Sequence, residues 1–385
     1  MQLLNSSEDH NLFRSAIQKF VNTEVIPFVE EWERCEKFPQ RELFKKAGTA
    51  GILGIMRDPT VGGLGLDYSF NSIYIEEFGR CRSSSVATAV GVQTDMCTPA
   101  LAKYGSSELQ KEFLVPSITG ELIGCIGVSE SGAGSDVASI KTTCTRKGGD
   151  YVINGGKMWI TNGDIADWGC ILVNTQRERS PHYNKSLIVV PLTIKGVTRS
   201  KPLSKHGLRA SGTAQIFFDE VHVPQRFCIG EENRGFIYQM EQFQEERLFS
   251  AIRTTSQLER AIEITVEYTK QRQAFGRSIL SNQWVHFVLS ELATEVALLR
   301  ALCEKIVAAY NAGDDILLLA SMAKLKAGKL ARTVPDQCLQ FFGGQGFMHE
   351  AEISRLTRDL RLVAIGGGAT EVMLSIISKQ LKMRT

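Results

Sequence analysis

Apolar residues recur at a helical period over the first 120 positions. Phe13, Ile17, Phe20, Val21 and Val25 share one face, which predicts an amphipathic helix that Pro27 bends or ends. Further helices are predicted over residues 39–50, around Ile73, Ile75 and Phe78, and through Leu101, Tyr104 and Leu109 between Pro99 and Pro116. A glycine-rich loop, residues 61–65, lies among them. From about Leu122 to Cys228 the texture changes to short β-rich runs at residues 123–128, 151–153, 169–173, 186–190 and 214–223. Turn material such as Lys147-Gly148-Gly149-Asp150 and Asn154-Gly155-Gly156 separates several of them. Strands in succession without long helices between them predict an antiparallel barrel or sandwich rather than βαβ units. From Gly235 the helical period returns in longer segments: 251–271, 283–309, 316–342 with Pro335 inside it, and 370–382. Long helices joined by short loops such as Asn311-Ala312-Gly313 predict an antiparallel bundle. The expected fold is α+β in three parts: an all-helical N-terminal domain at 1–120, a central β domain at 121–228, and a C-terminal four-helix bundle at 229–385.

Composition narrows the class without naming a chemistry. In 385 residues, 43% hydrophobic and 22% charged residues exclude a disordered or collagenous chain. Lys plus Arg number 44 against 42 Asp plus Glu, so nothing demands a nucleic acid or a membrane surface as partner. The nine cysteines are odd in number and lack CxxC spacing, and they read as reduced thiols of an intracellular compartment. The six histidines never cluster, so no metal site is expected, and His349 beside Glu350 reads as an ordinary polar pair. The opening MQLLNSSEDHNLFR has neither a secretory h-region nor the Arg-rich, acid-poor character of a transit peptide. No apolar run approaches the roughly 20 residues that cross a bilayer, so a soluble protein is expected. The polar stretch 175–185, with Arg177, Glu178, Arg179 and Pro181, reads as a solvated connection.

Neither a Rossmann start nor a GxxxxGK[ST] loop is present. Three stretches stand out instead. Val128-Ser129-Glu130-Ser131-Gly132-Ala133-Gly134-Ser135-Asp136 is polar and glycine-rich straight after an apolar strand; it is either a plain turn or a loop whose amides and hydroxyls meet a phosphate or a flavin edge. Trp159, in Lys157-Met158-Trp159-Ile160-Thr161-Asn162-Gly163, is either a core tryptophan on a hairpin or a plane set against a cofactor. Gln340-Phe341-Phe342-Gly343-Gly344-Gln345-Gly346-Phe347 ends a helix with three glycines, more than a helix stop requires. Glu245, Glu246 and Arg247 sit together on a long helix, where an exposed carboxylate is the default. Residue patterns alone reach a cofactor-binding helical protein with a β insert.

At these residues the sequence resembles the acyl-CoA dehydrogenase family, nearly end to end. The matching stretches are 127–136, 157–163, Gln271-Arg272-Gln273-Ala274-Phe275-Gly276, and 340–347 continued by Glu350, Arg355 and Asp359. The resemblance implies FAD-dependent removal of hydrogens from the α and β carbons of an acyl-CoA thioester. The product is a trans-2-enoyl-CoA, and electrons pass to electron-transferring flavoprotein. It places the chain in fatty acid metabolism, β-oxidation or branched-chain amino acid catabolism, as a homotetramer built as a dimer of dimers. The expected compartment is the mitochondrial matrix or a bacterial cytoplasm. By the same resemblance Val128 and Ser129 contact the flavin ring, Trp159 its face, and Thr161 hydrogen-bonds near N5. Arg272, Phe275, Gln283, Gln340, Gly343 and Gly344 hold the FAD of a neighbouring subunit, and Ala369 and Glu371 belong to the cofactor-binding set. Ser135, Arg247 and Gly367 are assigned to the substrate, with Arg209 a further polar candidate.

Three departures from the family pattern matter. Many members carry their catalytic glutamate in a C-terminal segment that matches Ile365-Gly366-Gly367-Gly368-Ala369-Thr370-Glu371, where Gly367 stands in its place. The isovaleryl-CoA and long-chain subgroups use a glutamate just before the arginine of a segment resembling Phe243-Gln244-Glu245-Glu246-Arg247-Leu248, which assigns the base to Glu246. Glu245 is offset from it by about 100° around the helix, so the two cannot occupy one position. Ser131 stands where proline is frequent, and Ile126 where an aromatic residue is common. Two rival expectations remain: a catalytically silent FAD or acyl-CoA binding protein, and an oxidase on the same fold.

Overall fold

A computed structural model of the protein describes residues 7–176 and 178–383; Arg177 lies outside the described residues. Helix α1 (Glu8–Glu24) starts on Ser7, whose hydroxyl accepts the His10 N–H, and it buries Ile17 and Val21. Pro27 sits in the single tight turn Ile26–Phe28 that separates α1 from α2 (Val29–Cys35). Then come α3 (Gln40–Thr49), α4 (Tyr68–Gly79) and α5 (Ser84–Gly91), the last running on into a wider π-type turn at Val92–Cys97. Every residue of α5 is buried. A helix covered on all sides has no polar face, so its period leaves no mark in the sequence. Three short helices, α6 (Pro99–Tyr104), α7 (Ser107–Leu109) and α8 (Val115–Ile118), close the helical region.

Eight strands form one sheet: β1 (Gly124–Gly127), β2 (Thr143–Lys147), β3 (Asp150–Thr161), β4 (Trp168–Asn174), β5 (Lys185–Pro191), β6 (Val197–Arg199), β7 (Thr213–Pro224) and β8 (Cys228–Ile229). Their order is β6-β7-β3-β2-β4-β5-β8, with β1 beside β4. The sheet is mixed rather than wholly antiparallel. β1 runs parallel to β4, Gly124 opposite Trp168, and β2 meets β4 in parallel at Thr143 and Asn174. The β2–β3 hairpin intervenes in sequence between β1 and β4, and a crossover of that length is what lets two paired strands point the same way. Two irregularities in the β3–β7 register, between Ile153 and Gly155 and between Lys157 and Ile160, carry β3 through the Gly155-Gly156 break.

The C-terminal helices pack as a bundle. Helix α9 (Gly235–Gln271) has 37 residues and is about 55 Å long. It begins well before residue 251, because its first turns bury polar side chains such as Gln239 and Gln242 that break an apolar stripe. A small hairpin, β9 (Gln273–Ala274) and β10 (Arg277–Ser278), leads to α10 (Gln283–Asn311). Helix α11 (Leu317–Phe342) continues through Pro335, and α12 (Glu352–Leu360) and α13 (Thr370–Gln380) follow. Among the described residues no helix is long and apolar enough to cross a membrane, and no three His, Cys, Asp or Glu side chains group to hold a metal. The cysteines are free, and all but Cys35 and Cys228 are buried.

One buried ion cluster joins four helices. Arg300 on α10 donates to Glu76 on α4 at 2.6 Å and to Glu259 on α9 at 2.7 Å, while Arg14 on α1 donates to Glu76 at 2.7 Å. Removing one member of a buried set leaves the others unpaired, which costs about 3–5 kcal/mol. Arg300→Met is expected to lower the unfolding free energy by about that much in a denaturant titration. Glu112→Gln, at the exposed Arg226–Glu112 pair, is expected to shift it by less than about 1 kcal/mol. Equal effects would show that burial does not set the difference.

Candidate active site

The first group of candidates lies at the rim of the sheet. The chain leaves β1 at Val128, whose carbonyl accepts the Lys157 ammonium at 3.1 Å, and the Ser129 carbonyl accepts the Met158 N–H at 2.9 Å. The loop 128–136 is thereby tied to the β3 bulge. Trp159 sits on that bulge at φ 61°, a conformation that costs a bulky residue roughly 1–3 kcal/mol. The residue is 54% exposed, so the tryptophan is not a core side chain. Thr161, half-buried, ends β3, and among the described residues its hydroxyl takes no hydrogen bond. Gly132 and Gly134 face open space, where an added methyl group would meet nothing, and Ser135 beside them is exposed.

Beneath this loop lies a buried pair. Lys157 has no exposed surface and reaches Glu130 at 2.8 Å. Glu130 also accepts the Lys141 N–H at 2.7 Å, the Thr142 N–H at 3.0 Å and the Thr142 hydroxyl at 2.6 Å. Burial brings the Lys157 amine down to about 8 against the pull of Glu130. Burial pushes the Glu130 carboxyl up, but the Lys157 charge and these hydrogen bonds outweigh it, leaving it below the ordinary value. Asn162, at φ 64° and fully buried, accepts from Gln40 at 2.7 Å and donates to the Ala89 carbonyl at 3.0 Å, so the helical region braces the end of β3.

A second corner forms on α9. Glu245 and Glu246 part company there: Tyr310 on α10 donates to Glu245 at 2.8 Å, whereas the half-buried Glu246 carboxylate accepts no hydrogen bond among the described residues. Glu246 meets the turn that carries Gly367. That glycine has φ 64°, and a methyl group on it would stand 3.0 Å from Glu246 Oε1 and 3.6 Å from Lys324 Cε. The Gly367 N–H is likewise without a hydrogen-bond partner among the described residues. Burial pushes the Glu246 carboxyl above its ordinary value, with Lys324 and then Arg247 opposing. Arg247 is buried, its Nε unpartnered, and desolvation lowers it against the attraction of Glu246.

The remaining candidates lie elsewhere. Arg272, Phe275 and Gln283 occupy the α9–α10 turn, and Gln340, Gly343 and Gly344 the end of α11. Tyr268 and Phe342 stack at 4.3 Å and Trp284 meets Phe341 at 5.4 Å, which joins the two places into one exposed end. Phe275, at φ 53°, lies wholly in solvent, and Gly343 and Gly344 have open space where side chains would be. Helix rise alone puts Arg272 about 39 Å from Glu246. Ala369 and Glu371 open α13, the former half-buried and the latter exposed. Arg209 donates to Glu36 and pairs with His349 at 3.0 Å, so His349 is engaged with an arginine rather than with Glu350. Glu130, Lys157, Asn162 and Lys324 had no role in the sequence reading. The first three lie inside the stretches named above, while Lys324 is one of three lysines on α11 and reads like its neighbours Lys326 and Lys329.

Comparison with known proteins covers the same ground independently. The N-terminal, middle and C-terminal domain models of acyl-CoA dehydrogenases match residues 7–121, 125–221 and 233–382. The long-chain specific acyl-CoA dehydrogenase of Rattus norvegicus mitochondria is 37% identical over 97% of this chain and 87% of its own length. An acyl-CoA dehydrogenase structure from Geobacillus kaustophilus superposes with a TM-score of 0.95 at 38% identity, over 99% of this chain and all of the other. A glutaryl-CoA dehydrogenase from Mycobacterium smegmatis, solved with FADH2, gives 0.92 at 26% identity over 98% of this chain and 96% of its own.

The buried pair yields a test. Glu130→Gln keeps the shape but leaves the Lys157 ammonium without a charged partner, and is expected to cost about 3 kcal/mol at pH 7. Because the folded-state value of Glu130 is lowered, its contribution is complete above the ordinary glutamate value and is lost as pH falls through the lowered one. The stability gap between parent and variant should therefore be largest between about pH 5 and pH 7, shrink below about pH 4 as Glu130 protonates, and shrink again as pH rises through about 8, where the Lys157 amine loses its charge. Urea titrations at several pH values measure it; a gap independent of pH would exclude the charge as its cause.

Proposed function

The chain belongs to the acyl-CoA dehydrogenase family and carries out FAD-dependent α,β-dehydrogenation of an acyl-CoA thioester, and we propose that Glu246 is the base that takes the α proton. Membership of this family sets aside the silent-binding and oxidase readings. One observation carries the assignment. Gly367 aims its missing side chain at the Glu246 carboxylate, so a carboxylate from either residue would serve the same point in space. Glu245, about 100° round the helix, is engaged with Tyr310.

The residues fit the cofactor. An exposed tryptophan on a strained bulge, a loop of unfilled glycines tied to it, and the unpartnered Thr161 hydroxyl suit a planar, hydrogen-bonding ring. Val128, Ser129, Trp159 and Thr161 would hold that ring, with Ala369 and Glu371 completing the set. Bound FAD supplies the acceptor for the β hydride. The chain's own task is at the α carbon. An α C–H beside a thioester is weakly acidic, so Glu246 must be ionised, close and enclosed when it accepts the proton. The free Gly367 N–H beside it suits the thioester oxygen, where negative charge develops as the proton leaves. Arg247 and Ser135 would meet the CoA portion.

The exposed Arg272 and Gln340 end is some 39 Å along α9 from Glu246, farther than one dinucleotide spans from that carboxylate. This supports their serving the FAD of a neighbouring subunit, together with Phe275, Gln283, Gly343 and Gly344, in a homotetramer arranged as a dimer of dimers. Electron-transferring flavoprotein would receive the electrons. The rat relative is named for long-chain specificity, which supports a longer acyl chain as substrate. Relatives occur in mitochondria and in bacteria, so either a mitochondrial matrix or a bacterial cytoplasm suits the chain.

Glu246→Gln is expected to keep fold, FAD and acyl-CoA binding while slowing anaerobic flavin bleaching by roughly 10² to 10⁴. Burial raises the Glu246 carboxyl, so the acidic limb of the parental kcat/KM profile should lie above the ordinary glutamate value. Bleaching at the parental rate would place the base elsewhere. Sedimentation of the holoenzyme is expected at four chains, and Arg272→Ala should release FAD more readily because a charge-assisted contact is lost. An FAD-saturated monomer, or a variant that holds FAD like the parent, would overturn the shared site.

A further inference from the structure

The turn that presents Gly367 to Glu246 is held from below by a buried lysine. Lys324, on α11, is 1% exposed. Its ammonium donates to the carbonyls of Val363 at 2.6 Å, Gly366 at 2.9 Å and Gly368 at 3.2 Å. Gly367 lies between two of these anchors, and Gly367 and Gly368 both take positive φ, 64° and 95°. The ammonium thus fixes the Gly366-Gly367-Gly368 backbone, which has no side chains to wedge it.

We propose that Lys324 is a positioning residue for proton abstraction: clamped to three carbonyls of the 363–368 turn, it sets where Gly367 stands against Glu246 and supplies the positive charge facing that carboxylate. The inference rests on Glu246 as the base. Burying an ammonium carries a desolvation cost that an apolar side chain filling the same space would avoid. A neutral amine has two N–H groups, and three carbonyl acceptors are served only by the ammonium. Burial, opposed chiefly by Glu246 and reinforced by Arg253 and Arg247, brings the Lys324 amine down to about 8, while the three carbonyls favour its charged form. The charged groups facing the pair are Arg247 and Arg253, both on α9; residues 362–369 carry no ionisable side chain. Lys324 is therefore the one cation that faces Glu246 from outside its own helix among the described residues.

The test uses holoenzyme variants. Lys324→Gln keeps a donor for the turn but no charge, and Lys324→Met removes both. For Lys324→Gln the acidic limb of kcat/KM for anaerobic flavin reduction should move up by about one pH unit, since an opposite charge at this range shifts a carboxyl by about 1–3 units. FAD content and KM should change less than about threefold, and Lys324→Met should also lower the reduction rate at neutral pH by at least tenfold. If Lys324→Met loses FAD or fails to fold, Lys324→Gln alone decides. A limb that stays in place in Lys324→Gln reduces the lysine to a strut and overturns the proposal, whatever happens to the rate. Glu246→Gln separates the two readings. Parental bleaching in that variant fails the base assignment, whereas slow bleaching combined with an unmoved limb in Lys324→Gln fails only the role of Lys324.

Discussion

A buried charge must be met by a partner or its desolvation goes uncompensated, and this protein buries an ammonium under each of two glycine-rich turns. Lys157 holds the loop after β1 through Val128 and Glu130, and Lys324 holds the turn before α13 through three carbonyls. Glycine-rich backbone has no side chains to brace it and loses more freedom on ordering than any other segment. A cation with several donors can order such a segment from one side and leave the other side bare for a ligand. At both turns the bare side is where the proposed chemistry lies.

Strain is tolerated on the same principle. Trp159 occupies the left-handed region at a β-bulge, and more than half of it is exposed. The bulge persists because its flanks are over-determined. Met158 bonds back to Ser129, Lys157 is locked to Glu130, and Asn162 is gripped by Gln40 and Ala89. An exposed, strained aromatic in the midst of such bracing is better explained by a planar partner than by folding.

The sequence was legible where one face of an element is dry and the other wet. Helix α1 and the middle of α10 repeat their apolar positions clearly, and the three-part order followed from them. Legibility failed where burial is all round or polar. Helix α5 is buried on every side, the first turns of α9 bury glutamines and carry the half-buried Glu246, and β3 passes through Gly155-Gly156 with its alternation broken. The parallel alignment of β1 with β4 depends on a pairing that no local pattern encodes. In the active-site corner, Glu246 was placed by resemblance rather than by spacing. Lys324 carries no such signal, because a lysine beside Lys326 and Lys329 on one helix reads as part of a solvated face.

The Gly367–Glu246 contact explains why the glycine and the glutamate go together. With Glu246 in place, a methyl group at 367 would already stand 3.0 Å from its oxygen, and φ 64° adds a backbone cost for any residue with a Cβ. The space in front of the turn admits one carboxylate. Supplying it from α9 frees the turn to be bare backbone, and the Gly367 N–H takes no hydrogen bond among the described residues. The turn must in that case be shaped from behind, and Lys324 is the side chain placed there to do it. On the proposed assignment, base, donor and clamp form one arrangement: a carboxylate carried by the helix makes a glycine at 367 admissible and an anchoring cation beneath it useful.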